Sequence, residues 1–556
     1  MKIFCRNLNR YIPFTGGMKL SEIAAGISSE LDFTPICALV NNKTEDLDYP
    51  LFAPKLVEFM EATSAPGRRV CVRTLCMILY KAVSELLPGQ TLRIEHSIAR
   101  GYYCRLLGQD GSPAVPDAAT VGRIAGRMRE IIGADMPIVR KERLTADVIE
   151  MFRLQGLRDK VMLLETVHDL YTVFYTLGSL ADSYCGPVAS RTGLAGVFSL
   201  IPWKEGCLLL GADPADQSVA QTPVAQEKMY RAFTEYQKFN RITRVSDVGE
   251  LNRVVRSRQS AELINVAEAM HDKLLGRISD EIARRNEEEG TKVVLIAGPS
   301  SSGKTTSTKR LAIQLMTNLI TPKMISLDDY FVDRDKTPRD ETGDYDFESL
   351  HALDLERLNS DLRRLLAGEE INLPTYSFEL GRRVERPRPL SLGEKDVLLI
   401  EGIHGLNPEL TASLPASSTF KVYVSALTTL HIDDHNWIST TDNRLLRRIV
   451  RDYKYRHTSA LESIRRWPSV RRGEEKWIFP FQENADATFN SSLIFELGVM
   501  KRFAEPLLRD VPHDTVQYAD AHRLLRLLSY FEPIEESQVP STSLLREFLG
   551  GSSFKY

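Results

Sequence analysis

A short apolar run at residues 293–297 (VVLIA) leads directly into a glycine-rich segment at residues 298–305 (GPSSSGKT). The segment fits the pattern GxxxxGK[ST], in which glycines let the loop curl so that successive N–H groups face a phosphate. A helical pattern (TTSTKRLAIQLMTNL) overlaps the end of this segment, and the positive end of such a helix points at the same anion. This order predicts a buried strand, a phosphate-binding loop and a helix. The alternative, a Gly/Ser-rich turn without a ligand, is disfavoured by the flanking strand and helix.

The pattern also predicts which residues contact a nucleoside triphosphate. The Lys304 side chain is expected to reach the β- and γ-phosphates, and the Thr305 hydroxyl to ligate Mg²⁺. The predicted nucleotide-binding residues are Gly298, Ser300, Ser301, Ser302, Gly303, Lys304, Thr305 and Thr306. No guanine-reading NKxD motif is present, which disfavours a GTPase. ATP and Mg²⁺ are therefore the expected cofactors.

Three further apolar runs, at residues 323–325, 397–400 and 422–424, are separated by helical patterns. Strands that are apolar on both faces and alternate with helices indicate a parallel sheet covered on both sides. We therefore expect the carboxy-terminal part of the chain to be a three-layer α/β domain.

Length and composition limit the remaining possibilities. A chain of 556 residues is too long for one core, so about two to four domains are expected. The net charge of −3 provides no general attraction to nucleic acid or to an anionic membrane. The sequence contains no apolar run of membrane-spanning length and no recognisable targeting segment at its start, so a cytoplasmic protein without a membrane partner is expected.

Changes in pattern along the chain suggest four segments. Residues 1–62 are predicted to form a small mixed module, and residues 63–225 a larger α+β domain. Residues 226–288 are charged and helical and are predicted as a helical linker. Residues 289–556 are predicted as the α/β domain. All seven cysteines lie before residue 208 without a CxxC spacing, which disfavours a zinc or redox site.

Two carboxylates follow apolar runs of the predicted parallel sheet. Asp328 comes after the second run and Glu401 ends the third, where the crevice of an open α/β sheet binds ligands. Asp328 could accept a proton from a substrate hydroxyl, with a helix cap or turn as the alternative. Glu401 could hold Mg²⁺ directly or through water.

An arginine-rich helix is predicted at residues 442–456 (DNRLLRRIVRDYKYR). Spacings of three and four place Arg444, Arg447, Arg448 and Arg451 on one face, where their charges repel unless an anion lies against them. A lid over the transferred phosphate is the favoured interpretation. A solvated basic face and an RNA contact are the alternatives.

Taken in order, these motifs resemble the uridine kinase and phosphoribulokinase family over about residues 290–495. Beside the glycine-rich loop, the matching blocks are residues 325–328 (ISLD), 346–348 (DFE), 374–378 (PTYSF), 399–403 (LIEGI) and 442–448 (DNRLLRR). The resemblance implies a P-loop nucleoside kinase. It makes Asp328 the catalytic base, assisted by Lys304 and the lid residues Arg447, Arg451 and Arg456. Thr305 and Glu401 would be the magnesium ligands.

The same resemblance implies that Glu348, Tyr376 and Arg383 contact the substrate. Departures from the family pattern also fall in this region. Ser377 and Gly381 stand where the pyrimidine-binding stretch usually has Asp and His, and Glu348 replaces a shorter aspartate. The acceptor, a nucleoside or a similar polyol, is therefore left open.

The amino-terminal half resembles the front end of threonyl-tRNA synthetase. Residues 1–62 are similar to its TGS module, a β-grasp fold, and residues 63–225 to its editing domain. The metal- or ester-binding HxxxH and C-x-G-P-H residues of that domain are replaced here, at Thr74, Ile78, Tyr184 and Val188. The resemblance therefore implies a binding or regulatory module that does not hydrolyse, with RNA or a small effector as partner.

The sequence thus predicts ATP-dependent phosphoryl transfer to a nucleoside hydroxyl, with a homo-oligomer left open. Two alternatives come from other functional classes. One is an ATP-binding RNA- or ribosome-associated factor whose acceptor site has decayed. The other is an aminoacyl-tRNA deacylase with an attached ATPase, which the missing ligands disfavour.

Overall fold

The first 60 residues of the computed structural model form a small mixed sheet covered by a helix. The structure describes residues 1–341, 343, 345–377, 379–384 and 386–555. The elements are β1 (Lys2–Cys5), β2 (Arg10–Pro13), β3 (Met18–Lys19), α1 (Leu20–Gly26), β4 (Cys37–Val40), β5 (Lys43–Glu45), β6 (Pro50–Leu51) and β7 (Leu56–Met60). The main sheet has the order β2-β1-β7-β4-β5, with β1 and β7 parallel. Leu20 and Ile23 of α1 are buried against Ile3 and Val57 of the sheet, as expected for a β-grasp module.

The next part is α+β, as predicted. Its elements are α2 (Ala65–Leu86), β8 (Thr91–Ile98), β9 (Gly101–Leu107), β10 (Pro113–Ala114), α3 (Ala118–Gly133), β11 (Ile138–Leu144), α4 (Thr145–Leu154), α5 (Arg158–Leu164), β12 (Tyr171–Leu177), β13 (Leu180–Asp182), β14 (Ser199–Trp203) and β15 (Gly206–Leu210). The strands form an antiparallel sheet containing β8, β9, β10, β14 and β15, and a second sheet in the order β11-β12-β13. Ser64 caps α2 by accepting a hydrogen bond from the Gly67 N–H at 3.1 Å.

The positions that depart from the editing-domain pattern belong to the interior of this region. Ile78, Tyr184 and Val188 are buried in one hydrophobic cluster. The Thr74 hydroxyl donates a hydrogen bond to the Val70 carbonyl and accepts one from the Ala189 N–H, both at 2.8 Å. These four side chains therefore serve packing and backbone pairing.

Three helices follow: α6 (Glu227–Thr243), α7 (Val248–Arg256) and α8 (Ser260–Glu289). The helical character predicted for residues 226–288 is present, but a linker is not what forms. Leu274, Leu275 and Ile282 of α8 are buried in the same core as the following sheet. The apolar residues recur at helical spacing and so need a partner surface, which makes α8 a packed layer. The domain boundaries themselves stay predictions.

A five-stranded parallel sheet dominates the carboxy-terminal part, in the order β17-β22-β16-β23-β26. Its elements are β16 (Val293–Ala297), α9 (Lys304–Thr317), β17 (Thr321–Ser326), α10 (Leu355–Leu366), β18 (Ile371–Asn372), β19 (Thr375–Ser377), β20 (Arg382–Val384), β21 (Pro389–Leu390), β22 (Asp396–Glu401), β23 (Thr419–Ser425), β24 (His431–Asp433), β25 (Asn436–Trp437), α11 (Thr440–Arg456), α12 (Ala460–Trp477), β26 (Ala487–Asn490), α13 (Glu496–Arg509), α14 (Tyr518–Ser529) and α15 (Arg546–Leu549).

The central strand β16 explains why the sheet has a helix layer on each side. Val294 and Ile296 are buried in the core that contains α8 and α9. Val293 and Leu295 are buried in a separate core that contains α10. Successive side chains of a strand point to opposite faces, so an unbroken apolar run requires cover on both. The predicted three-layer α/β domain is confirmed. Within the described ranges, no helix combines the length and apolarity needed to span a bilayer.

The hairpin β24–β25 connects the carboxy-terminal sheet to the amino-terminal half. Asp434 in its turn accepts a hydrogen bond from Arg93 at 2.6 Å, and the Asp434 carbonyl accepts one from the Ile94 N–H at 2.8 Å. The Asn436 side chain accepts a hydrogen bond from the Cys185 N–H at 3.0 Å. Since α11 begins four residues beyond Asn436, the hairpin links the front region directly to the arginine-rich helix.

A charged cluster is buried beneath this hairpin. The Lys160 ammonium lies 2.9 Å from carboxylate oxygens of both Asp182 and Asp433, and His435 Nδ1 lies 2.8 Å from Asp182. The four side chains are at most 2% exposed. Burial alone would lower the pKa of Lys160, but the two carboxylates raise it above its ordinary value, so the ammonium stays charged.

We expect Lys160→Met to destabilise the protein by about 3–5 kcal/mol, because two buried carboxylates lose their counter-charge. Urea unfolding followed by tryptophan fluorescence measures the loss. Arg153→Met is the matched control, because Arg153 pairs with Glu150 at an exposed site and should contribute less than about 1 kcal/mol. Equal stability of the two variants would show that the cluster does not hold the two halves together.

Candidate active site

The glycine-rich loop connects the end of β16 to the start of α9. A Cβ atom at Gly298 would lie 2.0 Å from the Val424 carbonyl oxygen of the neighbouring strand, so only glycine fits there. Ser301 and Ser302 are buried, and their hydroxyl oxygens have no hydrogen-bond partner among the described residues. Together with the first-turn N–H groups of α9, these unpartnered hydroxyls form a polar cradle that fits a phosphate.

Lys304 begins α9 and extends its ammonium into this cleft. The ammonium donates a hydrogen bond to the Pro299 carbonyl at 3.2 Å. Burial lowers the pKa of Lys304, and the charges of Glu401 and Asp328 oppose that shift. A cation with little water around it attracts a phosphate more strongly than one in solution.

Thr305 and Glu401, both predicted as magnesium ligands, contact each other. The Thr305 hydroxyl donates to the two Glu401 carboxylate oxygens at 3.1 and 3.0 Å. Parallel pairing causes this contact, because the register places Glu401 beside Ile296 at the end of β16. Burial raises the pKa of Glu401 to about 7, and Lys304 acts against that rise. Hydroxyl and carboxylate oxygens are the ligands that Mg²⁺ prefers.

Asp328 lies in the short 3₁₀ turn that follows β17. The cap of this turn is Ser326, whose hydroxyl accepts a hydrogen bond from the Asp328 N–H at 3.3 Å, so the Asp328 carboxylate is not the cap. The side chain is open to the cleft, yet the surrounding protein removes enough water to raise its pKa. The charges of Lys304, Arg456 and Arg451 counteract this rise.

Two arginines of α11 do not face the cleft. Arg444 pairs with Glu474 and donates to the Ser300 carbonyl at 2.9 Å. Arg447 pairs with Glu496 and is 0% exposed. Arg447 was predicted as a lid residue, and for it and Arg444 the lid interpretation is wrong. Carboxylates from later helices neutralise both, and the two guanidinium groups brace the phosphate-binding loop from behind.

The other predicted arginines lie closer to the cleft. Arg448 donates a hydrogen bond to the Ser300 hydroxyl at 3.1 Å. Arg451 and Arg456 both pair with Asp452, and the side chain of Arg456 remains 60% exposed. Because the charges of Arg451 and Arg456 act on Asp328, these two residues are placed where a closing lid would need them.

The predicted acceptor residues divide in the same way. Burial, together with the charge of Glu474, raises the pKa of Glu348 to about 7, and the Glu348 Oε2 atom has no hydrogen-bond partner among the described residues. The Tyr376 ring is buried 5.6 Å from the Phe331 ring. Arg383 is instead held by Asp354 at 2.9 Å and by the Phe331 carbonyl, so its guanidinium is already occupied.

The departure at Gly381 has a local cause. Gly381 has a φ of +66°, and a Cβ atom there would lie 2.8 Å from the Arg334 guanidinium carbon. A histidine, which the family pattern has at this position, would need a different loop conformation. Phe378 of the same motif lies outside the described residues.

Sequence reasoning missed Glu474. Its carboxylate accepts hydrogen bonds from the Ser300 N–H at 3.1 Å and from Arg444. It is a single buried glutamate on a helix that otherwise reads as charged surface. No motif marks it, because its partners come from other elements.

We expect Arg447→Met to lower the free energy of unfolding by about 3–5 kcal/mol, because Glu496 would be left as an unpaired buried charge. Arg456→Met, at an exposed position, should change it by less than about 1 kcal/mol. Chemical denaturation of both variants measures the difference. Similar effects of the two changes would restore Arg447 to the lid.

Comparisons with known proteins agree with this geometry. A sequence model of the Phosphoribulokinase / Uridine kinase family matches residues 293–493. A uridine kinase from Brevibacillus brevis is 32% identical over 169 residues, which cover 30% of this chain and 69% of that protein. Uridine-cytidine kinase B from Dictyostelium discoideum is 28% identical over 195 residues, which cover 35% of this chain and 72% of that protein.

The amino-terminal region has different relatives. A threonine–tRNA ligase from Citrifermentans bemidjiense is 27% identical over 188 residues, which cover 34% of this chain. The chain spans only 29% of the length of that ligase. The composite architecture predicted from the sequence is therefore confirmed. The chain belongs to the phosphoribulokinase and uridine kinase family through its carboxy-terminal part, which follows a region similar to threonine–tRNA ligases.

Proposed function

We propose that this protein is an ATP-dependent kinase that transfers the γ-phosphoryl group to a hydroxyl of a nucleoside. The observation that carries the proposal is the convergence of Lys304, the Thr305–Glu401 pair and Asp328 at one edge of the parallel sheet. Membership of the phosphoribulokinase and uridine kinase family supports the same reaction class.

ATP would bind with its phosphates in the loop at residues 298–306. The first-turn N–H groups of α9 and the Lys304 ammonium face that position, and both stabilise negative charge. Lys304 is already poor in water, so it needs little reorganisation when charge develops on the transferred group.

The side chains present fit a magnesium ion. Thr305 and Glu401 would hold it, since their oxygens already converge within hydrogen-bond distance. When bound, the ion supplies neutralisation of the charge on the phosphates.

Asp328 would accept the proton of the attacking hydroxyl. That oxygen bonds to the γ-phosphorus, the bond from the γ-phosphorus to the β–γ bridging oxygen breaks, and ADP leaves. The raised pKa of Asp328 makes its carboxylate a better proton acceptor than an exposed aspartate, while Lys304, Arg456 and Arg451 favour the ionised form.

The nucleoside would occupy the side of the cleft bordered by Glu348 and Tyr376. Glu348 has an unpartnered carboxylate oxygen that can accept a hydrogen bond from a sugar hydroxyl. Tyr376 and Phe331 offer aromatic surface for the rest of the substrate. Ser377 and Gly381 leave more room than the usual Asp and His, so the base specificity is best found by testing a panel.

For the amino-terminal half we propose a binding role without hydrolysis, with RNA or a small effector as ligand. The burial of Thr74, Ile78, Tyr184 and Val188 supports this role, because none of them supplies a thiol or an imidazole. The hairpin β24–β25 gives such a ligand a physical route to α11.

We expect Asp328→Asn to lower kcat by about 10²–10⁴-fold, because the hydroxyl loses its proton acceptor. The affinity for ATP should remain within about threefold, since Asp328 contacts the acceptor rather than the phosphate cradle. A coupled assay of ADP release across a panel of nucleosides and sugars measures both effects and identifies the acceptor.

Asp329→Asn is the matched control, because the neighbouring carboxylate pairs with Arg388 at 2.9 Å. It should retain activity within a few-fold of the wild type. ATP binding without acceptor-stimulated turnover on any panel member would instead support the ATP-binding RNA-associated factor.

A further inference from the structure

The end of the chain folds back onto the phosphate-binding loop. We call residues 534–555 the C-terminal segment; it lies outside the region matched by the family, residues 293–493. Its short helix α15 packs beside α11 and the start of α9. A Cβ atom at Gly303 would meet the Leu544 side chain at 2.7 Å, which shows how closely the segment approaches the loop.

Glu547 of this segment is bonded to the anion-binding end of α9. One carboxylate oxygen accepts a hydrogen bond from the Thr306 N–H at 3.1 Å and another from the Thr306 hydroxyl at 2.6 Å. Thr306 is the third residue of α9, and the N–H groups of a first helical turn have no partner within the helix. The carboxylate therefore uses a donor that a phosphate of the nucleotide would also use.

The segment is held by packing on both sides of Glu547. The Phe548 ring lies 5.1 Å from the Arg447 guanidinium carbon, and Lys454 donates a hydrogen bond to the Leu549 carbonyl. Arg546 is fixed by Glu536 at 2.9 Å and by the Val539 carbonyl at 2.7 Å. Glu547 is thus positioned at the loop by a built contact rather than by a loose chain end.

We propose that the C-terminal segment is an autoinhibitory gate, in which the Glu547 carboxylate competes with a nucleotide phosphate for the Thr306 N–H. Two anions cannot share one N–H group, and their like charges repel at this distance. Nucleotide binding therefore requires Glu547 to withdraw, and a signal that moves the segment would change nucleotide affinity. The gate deepens the proposed function and rests on it, since it assumes that the loop binds ATP and ADP.

Isothermal titration calorimetry with ADP and Mg²⁺ tests the gate without requiring turnover. Glu547→Gln should bind ADP about tenfold more tightly than the wild type, because a charged competitor becomes neutral. Glu535→Gln is the matched control: it lies in the same segment but pairs with exposed Arg502, so its Kd should equal that of the wild type. If Glu547 were only a cap for α9, the Gln variant would bind ADP equally or more weakly, which would overturn the gate.

Hydrogen exchange on the unmodified protein gives a second, independent readout. Saturation with ADP should reduce the protection of backbone amides at residues 544–550, as the segment leaves the loop. Unchanged or increased protection would overturn the gate, whether or not the Gln variant folds. Absence of ADP binding by wild type and variant alike would overturn the proposed function together with the gate. Equal, tight binding would overturn the gate alone.

Discussion

The parallel pairing of β16 with β22 and β23 is the constraint on which the candidate site depends. The register sets Ile296 beside Glu401 and Ala297 beside Tyr423, so the strands end at one edge of the sheet. A shift by one residue would turn every buried side chain to the opposite helix layer, so packing on both faces fixes this register. The positions of the phosphate loop, Asp328 and Glu401 are therefore consequences of core packing.

Electrostatic pairing then determines how the charged residues are used. The Lys304 ammonium remains free for a phosphate because its carboxylate neighbours surround it without a direct ion pair. Arg444 and Arg447, by contrast, are consumed by Glu474 and Glu496 and stiffen the loop. The same economy holds Lys160 between two aspartates and fastens the hairpin β24–β25 to the front region. Charges that face the cleft stay available, and charges that face the interior are neutralised.

Local patterns in the sequence were enough to predict the parts of the site that a strand or a loop carries. The apolar run before Gly298, and the carboxylates Asp328 and Glu401 at strand ends, all follow from short-range periodicity. Contacts between distant residues had no such signal. Glu496 lies 49 residues from its partner Arg447, and Glu547 lies 241 residues from Thr306. A helix of arginines looks the same in sequence whether its partner is a phosphate or a buried glutamate.

The most direct test of the central claim is to follow phosphorus itself. The protein is incubated with MgATP and a mixture of the four common ribonucleosides, and the products are observed by ³¹P NMR. The account predicts a new phosphomonoester resonance that grows in step with ADP. Growth of inorganic phosphate with ADP, and no phosphomonoester, would contradict transfer to a nucleoside. It would show that the cleft activates water instead.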